Sequence, residues 1–238
     1  MIQSESNSIY KDLKKLRKKK YRSKTKTYLI ESKKLVEEAI KSNAPILDII
    51  VDENFDKDYG FKQIKLKDNL FKKLSELKNP EGIMARVEFN TQKQISSDKI
   101  LILDNINDPG NIGTIIRSAE AFGFKDIILY NNCVDIYNQK SLRASMGSIF
   151  RVNIISYGLE EIMKLKEEYV ILASVMDGLD YRKFNYKKCA LVVGNEANGI
   201  SNQLLNISDY KIKISMIGDN ESLNAAIAAS VLMHGLNL

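Results

Sequence analysis

Apolar runs alternating with helical segments constrain the fold of this chain more than any other feature. The runs predict strands at 100–103, 127–130, 152–155, 170–175, 190–193 and 212–216. Most are separated by segments of helical periodicity, among them 112–122, 159–168 and 223–233. Continuous apolar runs are typical of strands buried on both faces. Their alternation with helices predicts an α/β fold, with a mostly parallel sheet covered by helices on both faces.

The first 90 residues have a different organisation and predict a separate, small α/β domain. After a basic helix, we expect helices at 32–41 and 67–77 and strands at 46–51, 61–66 and 82–89. The polar stretch around 91–99 has no periodicity and predicts a linker. The expected domains are therefore 1–90 and 100–238, joined by 91–99.

Positive charge is concentrated near the N terminus. The chain has 36 lysines and arginines against 30 acidic residues, and a dense basic run lies between 11 and 26, including Lys18, Lys19 and Arg22. Such a run favours a polyanion, because neutralising phosphates releases condensed counterions. A solvated helix face or a flexible tail would have the same composition.

Cysteine and histidine usage limits the possible chemistry. Cys133 and Cys189 are the two cysteines, and they form no CxxC or Cys/His cluster. We therefore expect no zinc site, no other metal and a reducing compartment, the cytoplasm. Neither a signal peptide nor an apolar run of membrane-spanning length is expected. The single histidine, His234, is expected to be structural or exposed, so the chemistry must proceed without a central histidine.

Ligands of parallel sheets bind beyond the carboxyl ends of the strands, so three post-strand loops are candidates. The first leads into a helix carrying Arg117. Asn111 is its expected N-cap, and Gly113 is expected to leave space where backbone N–H groups and Arg117 could grip a phosphate. A tight turn beside a surface arginine is the alternative.

The second loop, GNEANG, places the carboxylate of Glu196 between Gly194 and Gly199. The glycines allow close backbone approach or positive φ, although an ordinary turn has the same requirement. The third loop follows 212–216, and Ser222 or Asn220 is the expected N-cap of an alanine-rich last helix. This slim helix is suited to close packing against another backbone or a second subunit, although a segment that is simply a good helix former has the same composition. No GxGxxG motif occurs, which argues against a Rossmann dehydrogenase or methyltransferase.

Together, the three loops resemble the motifs of the SpoU/TrmH family of RNA ribose 2′-O-methyltransferases, in the knotted SPOUT class. The first family motif is matched by Asn111, Gly113, Arg117, Phe122 and Gly123. The second is matched by Gly194, Asn195, Glu196 and Gly199. The third is matched by Ile214, Met216, Ser222, Leu223, Asn224 and Ala228. An intervening A-S-x-G element is matched by Ala144, Ser145 and Gly147. Ser215 departs from the family, which usually has proline there.

The resemblance covers about 100–238 and implies a C-terminal trefoil knot, S-adenosylmethionine as cofactor and a homodimer with the site at its interface. The implied cofactor-binding residues are Gly194, Ile214, Met216, Leu223 and Ser145. The implied catalytic residues are Arg117, Glu196, Ser222 and Asn224. Because an arginine pKa exceeds about 12, we expect Arg117 to grip the phosphate and stabilise the forming alkoxide rather than act as a simple base.

The segment 28–40 resembles the opening of the L30e-like, substrate-binding extension of larger family members. RNA contacts are therefore expected at Asn111, Arg117, Lys18, Lys19 and Arg22. An N-terminal module is more typical of the ribosomal RNA enzymes, so 23S ribosomal RNA is the expected substrate. Transfer RNA, base methylation and a non-catalytic RNA-binding role are the alternatives. Retention of Arg117, Glu196 and Asn224 speaks against the last.

Overall fold

A computed structural model describes residues 1–91, 93–218 and 222–237. The strands are β1 (Thr27–Glu31), β2 (Ile46–Asp52), β3 (Gln63–Leu66), β4 (Ile83–Glu88), β5 (Lys99–Asp104), β6 (Asp126–Tyr130), β7 (Asn153–Ser156), β8 (Val170–Asp180), β9 (Cys189–Val193) and β10 (Tyr210–Lys213). The α-helices are α1 (Ser8–Lys15), α2 (Lys19–Thr25), α3 (Lys33–Lys41), α4 (Asp68–Leu74), α5 (Pro109–Ala121), α6 (Gln139–Ser145), α7 (Leu159–Lys164), α8 (Asn202–Ile207) and α9 (Ala225–Gly235).

Internal contacts divide the chain into two compact units. The N-terminal unit comprises Met1–Thr91 and Tyr137–Phe150, and the C-terminal unit comprises Gln92–Ile136 and Arg151–Leu238. The predicted linker thus lies at the first boundary. The segment Tyr137–Phe150 was placed by sequence in the second domain. In the structure it groups with the first, where the Gln139 side-chain amide donates to Leu29 O at 2.7 Å.

The N-terminal unit is built on a four-stranded sheet of order β1-β4-β2-β3. β4 is antiparallel to both β1 and β2, and β2 is parallel to β3. β1 was not expected from the sequence, although all five of its residues are buried. Tyr10 and Leu13 of α1 pack into the same core as Leu70 and Phe71 of α4. The basic helix is therefore part of the folded unit and not a flexible tail.

The C-terminal unit contains a six-stranded sheet of order β10-β8-β9-β5-β6-β7. All of its neighbouring strands are parallel, as the sequence predicted. Ile102 and Val192 pack on one face with Ile162 of α7 and Leu204 of α8. On the other face, where the alternate side chains point, α9 contacts β9 and packs against α5.

Both faces are therefore covered by helices, which confirms the predicted architecture; the trefoil knot stays a prediction. Within the described ranges, no helix has both the length and the apolar character needed to cross a bilayer.

Candidate active site

Loops at the carboxyl edge of the parallel sheet surround a cavity of about 550 Å³, which we term the carboxyl-edge cavity. This volume is within the usual range for small-molecule sites, about 300–1,000 Å³. Seven of the predicted site residues line it: Gly194, Glu196, Ile214, Met216, Ser222, Leu223 and Asn224. Two of the three candidate loops thus form its wall, and the third reaches it through Asn111.

Asn111 joins the three loops through its side-chain amide. Its Nδ2 donates to the Glu196 carboxylate, and its Oδ1 accepts from Asn224 Nδ2 at 3.0 Å. The prediction that Asn111 caps α5 is wrong. Asp108 is the cap and accepts from the Asn111 N–H at 2.8 Å, because Pro109 suits the first helical position. Both ends of the Asn111 amide thus hold other side chains of the site, and its expected contact with RNA stays a prediction.

The last helix is capped by Asn224. Its Oδ1 accepts from the backbone N–H of Ala226 at 2.9 Å and of Ile227 at 3.4 Å. The prediction of Ser222 as the cap is wrong, because Asn224 immediately precedes the first helical residue and is an equally good capping type. Asn220, the other predicted cap, lies outside the described residues. Asn224 therefore fixes the start of α9 and holds Asn111 at the same time.

The GNEANG loop confirms both roles predicted for its glycines. A Cβ on Gly194 would lie 2.3 Å from the backbone carbon of Gly199, so the close approach requires glycine. Gly199 has a φ of 65°, a conformation that glycine adopts readily. The loop is closed by Asn195, whose N–H donates to Gly199 O at 3.1 Å and whose carbonyl accepts from Gly199 N at 2.9 Å. This closed loop holds Glu196 at the cavity.

A buried carboxylate that was not predicted as a site residue accepts hydrogen bonds next to the GNEANG loop. Asp104, at the end of β5, accepts from Asn131 Nδ2 at 2.6 Å and from Ser201 N–H at 2.7 Å. Beside it, Asn195 Nδ2 donates to Asn105 O at 3.0 Å. The available signal was an acidic residue ending an otherwise apolar strand, because a buried carboxylate requires hydrogen-bond partners.

β8 contributes lining residues that the sequence analysis also missed. The strand continues to Asp180, beyond the predicted end at 175, and Met176 in this extension lines the cavity. Ser174, within the predicted strand, and Lys213, at the end of β10, line it as well. The apolar run of β8 stops at Val175, which hid the length of the strand.

Ser215, the departure from the family pattern, is tied to the end of β8. Arg182, whose Nε lies 2.8 Å from Asp180, and a hydrogen bond from Ser215 hold the pKa of the Asp180 carboxyl well below its usual range. The Ser215 side chain thus gives this loop a hydrogen-bonded anchor where the family usually has a proline ring.

Arg117 is exposed on α5 and is not among the residues that line the cavity. It lies six residues beyond Asn111, which places it about 9 Å further along the helix and about two thirds of a turn around it. The next residue, Ser118, faces α9 through a 2.7 Å contact with the Ser230 hydroxyl. Gly113 is buried, so the open space expected beside it is not found. Arg117 therefore lies on a different face of α5 from Asn111 and is not part of the cavity wall in its own chain.

Ser145 lies in the N-terminal unit and does not line the cavity. Its side chain is fully buried, and its hydroxyl donates to Leu142 O at 2.9 Å. The structure thus gives Ser145 a packing role at the end of α6 and does not place it at the cavity where its cofactor contact was expected.

The basic run divides into structural and exposed residues. Arg22 is only 6% exposed and donates to Leu16 O at 2.7 Å. Arg17 similarly donates to carbonyls at the end of α4, including Lys73 O at 2.9 Å, since a guanidinium has enough donors to satisfy several carbonyls. Arg22 is thus buried in the unit and not exposed for the RNA contact that was expected of it. Lys18 and Lys19 are exposed and remain available.

Metal-binding groups are not found in the described ranges: no three His, Cys, Asp or Glu residues among 1–91, 93–218 and 222–237 are placed to hold an ion. His234 lies outside the cavity lining, with its ring 5.3 Å from that of Phe122 in an edge-on contact.

Solved structures with similar folds cover nearly the whole chain. AviRb from Streptomyces viridochromogenes, a SpoU methyltransferase in complex with AdoMet, superposes with a TM-score of 0.88 and 26% identity over 97% of each chain. An AdoMet-bound rRNA methyltransferase from Sinorhizobium meliloti gives a TM-score of 0.86 and 26% identity, covering 99% of this chain and 96% of that one.

Alignments with curated relatives also cover most of the chain. The Bacillus subtilis 23S rRNA (guanosine(2553)-2′-O)-methyltransferase RlmP is 35% identical and covers 99% of this chain and 98% of its own. Human mitochondrial rRNA methyltransferase 3 is 28% identical, over 90% of this chain and 68% of its own. The MRM3-like substrate binding domain matches residues 7–85, and the SpoU rRNA methylase family matches residues 98–234. This chain belongs to the SpoU rRNA methylase family.

Proposed function

We propose that this protein transfers a methyl group from S-adenosylmethionine to a ribose 2′-hydroxyl of 23S ribosomal RNA. The observation that carries the proposal is the convergence of three motif loops at one cavity, joined by the hydrogen bonds of Asn111 to Glu196 and Asn224. The names of RlmP and of mitochondrial rRNA methyltransferase 3 support ribosomal RNA as the substrate class. The cytoplasm is the proposed place of action.

The cavity is suited to the proposed cofactor. Its wall combines apolar side chains, such as Val193 and Leu223, with backbone and amide groups around Gly194 and Asn224. Such a lining fits an adenosyl group together with the polar end of an amino acid. When bound, S-adenosylmethionine supplies a methyl group on a sulfonium. Ile214, Met216 and Leu223 are proposed to hold it, together with the backbone of Gly194.

The chain's own residues must then align the ribose and assist removal of its hydroxyl proton. Alignment can supply roughly 7–11 kcal/mol of such a barrier. Among the described lining residues there is no histidine. We therefore assign orientation of the ribose to Glu196, Ser222 and Asn224. Arg117 grips the adjacent phosphate and stabilises the developing alkoxide.

A homodimer accounts for the position of Arg117. Because Arg117 is exposed and is not part of the cavity wall in its own chain, it serves a cavity when α5 of a second copy faces that site. Exposed apolar side chains near the cavity and on α9 support such an interface. Met176 is 67% exposed, Ile227 54% exposed, and Met216 and Ile217 are also exposed.

The N-terminal unit is proposed to bind RNA. Lys18 and Lys19 are exposed at the start of α2, whereas Arg17 and Arg22 are used inside the unit. Exposed lysines beside a folded α/β unit provide the electrostatic contact that phosphates require.

Calorimetric titration of S-adenosylmethionine into the full chain tests the cofactor. We expect saturable binding, and its absence would leave only a non-catalytic RNA-binding protein. Incubating the protein and S-adenosylmethionine with unmodified 23S ribosomal RNA or transfer RNA then tests the reaction. We expect alkali-resistant dinucleotides from 23S ribosomal RNA. Methylation without alkali resistance would indicate a base as acceptor, and reaction with transfer RNA alone would refute the ribosomal substrate.

A further inference from the structure

A group of three aromatic rings lies at the edge of the parallel sheet that is opposite to the carboxyl-edge cavity. Tyr186 and Tyr210 are stacked, with ring centroids 5.8 Å apart and planes inclined by 21°. Phe184 packs against Tyr210 at 5.1 Å. Tyr210 begins β10, which is the edge strand, and is 42% exposed. An exposed, rigid aromatic face is thus available at this edge.

Beside these rings is a second cavity, of about 720 Å³. Tyr186 lines it together with Lys99, Lys125 and Lys187, and Asp98 is the carboxylate among its lining residues. These residues precede or begin parallel strands, so the cavity and the rings lie at the same amino edge. We term this combination of Phe184, Tyr186, Tyr210, Lys125 and Lys187 the amino-edge surface.

The lysines of this region differ in whether they bond to groups of the protein or are exposed to solvent. Lys99 donates to Leu236 O at the end of α9, and the neighbouring Lys188 is paired with Glu168 at 2.8 Å. Lys125 and Lys187, by contrast, are exposed. Lys187 follows Tyr186 in the chain, and Lys125 lines the same cavity as Tyr186. An aromatic platform flanked by exposed cations is the combination that binds single-stranded nucleic acid without reading its sequence.

We propose that the amino-edge surface binds single-stranded RNA, with one base stacked on Tyr210 and other phosphates of the same strand beside Lys187 and, further along the sheet edge, Lys125. Tyr186 and Tyr210 are too close together to admit a base between them, so the base stacks on the outer face of Tyr210. The inference rests on the proposed RNA substrate. The two edges of the sheet are separated by a five-residue strand, roughly 17 Å. The surface therefore contacts nucleotides away from the methylated ribose.

Photocrosslinking of the full chain to a ten-nucleotide oligouridylate containing 5-iodouridine tests the location. We expect adducts on the peptides that carry Tyr186 or Tyr210. Adducts confined to the N-terminal unit would overturn the proposal.

Fluorescence anisotropy with the same labelled oligouridylate tests the energetics. Tyr210→Ala should weaken binding about tenfold through loss of one stacked base, whereas Tyr210→Phe keeps the ring and should restore binding to within twofold of the unaltered protein. Equal loss in both variants, or in neither, would contradict stacking.

The lysines are tested by the salt dependence of affinity. In the double variant Lys125→Gln/Lys187→Gln, the slope of log K against log salt should decrease in magnitude by about 1.4, since each phosphate contact on a single strand contributes about 0.7. Lys188→Gln, a neighbouring change at an ion-paired lysine, should leave the slope close to its original value. An equal decrease in Lys188→Gln would indicate diffuse attraction and no site.

Two further measurements separate this inference from the proposed function and from another occupant. S-adenosylmethionine titrations on the same variants should match the unaltered protein. If the unaltered protein itself bound no S-adenosylmethionine, the methyltransferase proposal would fail. The crosslinks would still show whether the amino-edge surface binds RNA. Sedimentation of Tyr210→Ala tests for a subunit contact. A change in oligomeric state with unchanged RNA affinity would assign the surface to a second copy and refute RNA binding there.

Discussion

The side-chain amide of Asn224 donates a 3.0 Å hydrogen bond to Oδ1 of Asn111. Asn111 in turn donates to the Glu196 carboxylate, so loops after three different strands are joined side chain to side chain. Asn224 also caps α9 through its own Oδ1. Its two functions use different atoms of one amide and can therefore be separated by substitution.

Asn224→Asp should separate capping from positioning. Aspartate caps a helix as well as asparagine, so the free energy of unfolding should change by less than about 1 kcal/mol. The new carboxylate would be an acceptor that cannot donate to Asn111 and would place negative charge near Glu196, so methyl transfer should fall at least about tenfold, the equivalent of one lost hydrogen bond. Asn224→Ala should lower both the rate of methyl transfer and the free energy of unfolding, the latter by about 1 kcal/mol. Urea unfolding and single-turnover rates measure the two effects, and a wild-type rate in Asn224→Asp would contradict the role of this hydrogen bond.

Arg117→Ala should abolish most methyl transfer without affecting cofactor binding. Arg117 does not line the cavity, so calorimetry should give an unchanged S-adenosylmethionine affinity. Loss of one donor to a developing oxyanion should reduce the rate about 10²–10³-fold. Arg117→Lys keeps the charge but not the planar fork, and should recover only part of the rate. Near-normal turnover in Arg117→Ala would refute the role assigned to this residue.

Gly194→Ala should eliminate cofactor binding. The new Cβ would lie 2.3 Å from the backbone carbon and 2.4 Å from the backbone oxygen of Gly199, so the closed loop must shift. Gly218→Ala is a matched control, because a Cβ at Gly218 meets no atom within 4 Å. Calorimetry should show lost binding in the first variant and unchanged binding in the second. Equal affinities would show that the close approach at Gly194 has no part in the site.

Acid should destabilise the protein partly through Asp126. Burial raises the pKa of this carboxyl, but hydrogen bonds from Ser97, Asn153 and the N–H groups of Ser96 and Ser97 outweigh it and hold the pKa below its ordinary value. The charged form is therefore favoured by folding. Its contribution is complete above the unfolded pKa of about 3.9 and is lost as pH falls through the lower folded value.

We expect Asp126→Asn to lower Tm at pH 6 and to reduce the further loss of Tm between pH 4 and pH 2. Asp177→Asn, a change at an exposed carboxyl, is the control and should keep the pH profile of the unaltered protein. Parallel profiles for Asp126→Asn and the unaltered protein would exclude Asp126 as a source of acid sensitivity.

Arg22 and its neighbouring lysines should separate folding from RNA binding. Arg22→Gln removes a buried donor to Leu16 O and should cost about 1–3 kcal/mol of stability. Lys18→Gln/Lys19→Gln should change stability by less than about 0.5 kcal/mol. The same double change should decrease the salt slope of ribosomal RNA binding by about two. Thermal melts and filter binding distinguish these outcomes, and an unchanged salt slope would remove the two lysines from the RNA contact.

The architecture of the C-terminal unit and the position of its cavity were readable from local sequence. Buried parallel strands require continuous apolar runs, and their carboxyl ends define one edge of the sheet. The roles of Gly194 and Gly199 were also predictable from local sequence, because a close backbone approach and a positive φ each restrict the residue type. These features depend on the chain's own periodicity and backbone.

The tertiary structure alone decided which polar groups meet. Asn111 bonds to Glu196 across 85 positions and accepts from Asn224 across 113, and no local pattern encodes such pairs. Local sequence likewise did not show that Asp108 rather than Asn111 caps α5, or that Arg22 donates to the buried carbonyl of Leu16. Several nearby side chains have the same hydrogen-bonding capacity. Which of them forms the bond depends on packing that brings distant segments together, so sequence predicted the chemical groups of the site but not their partners.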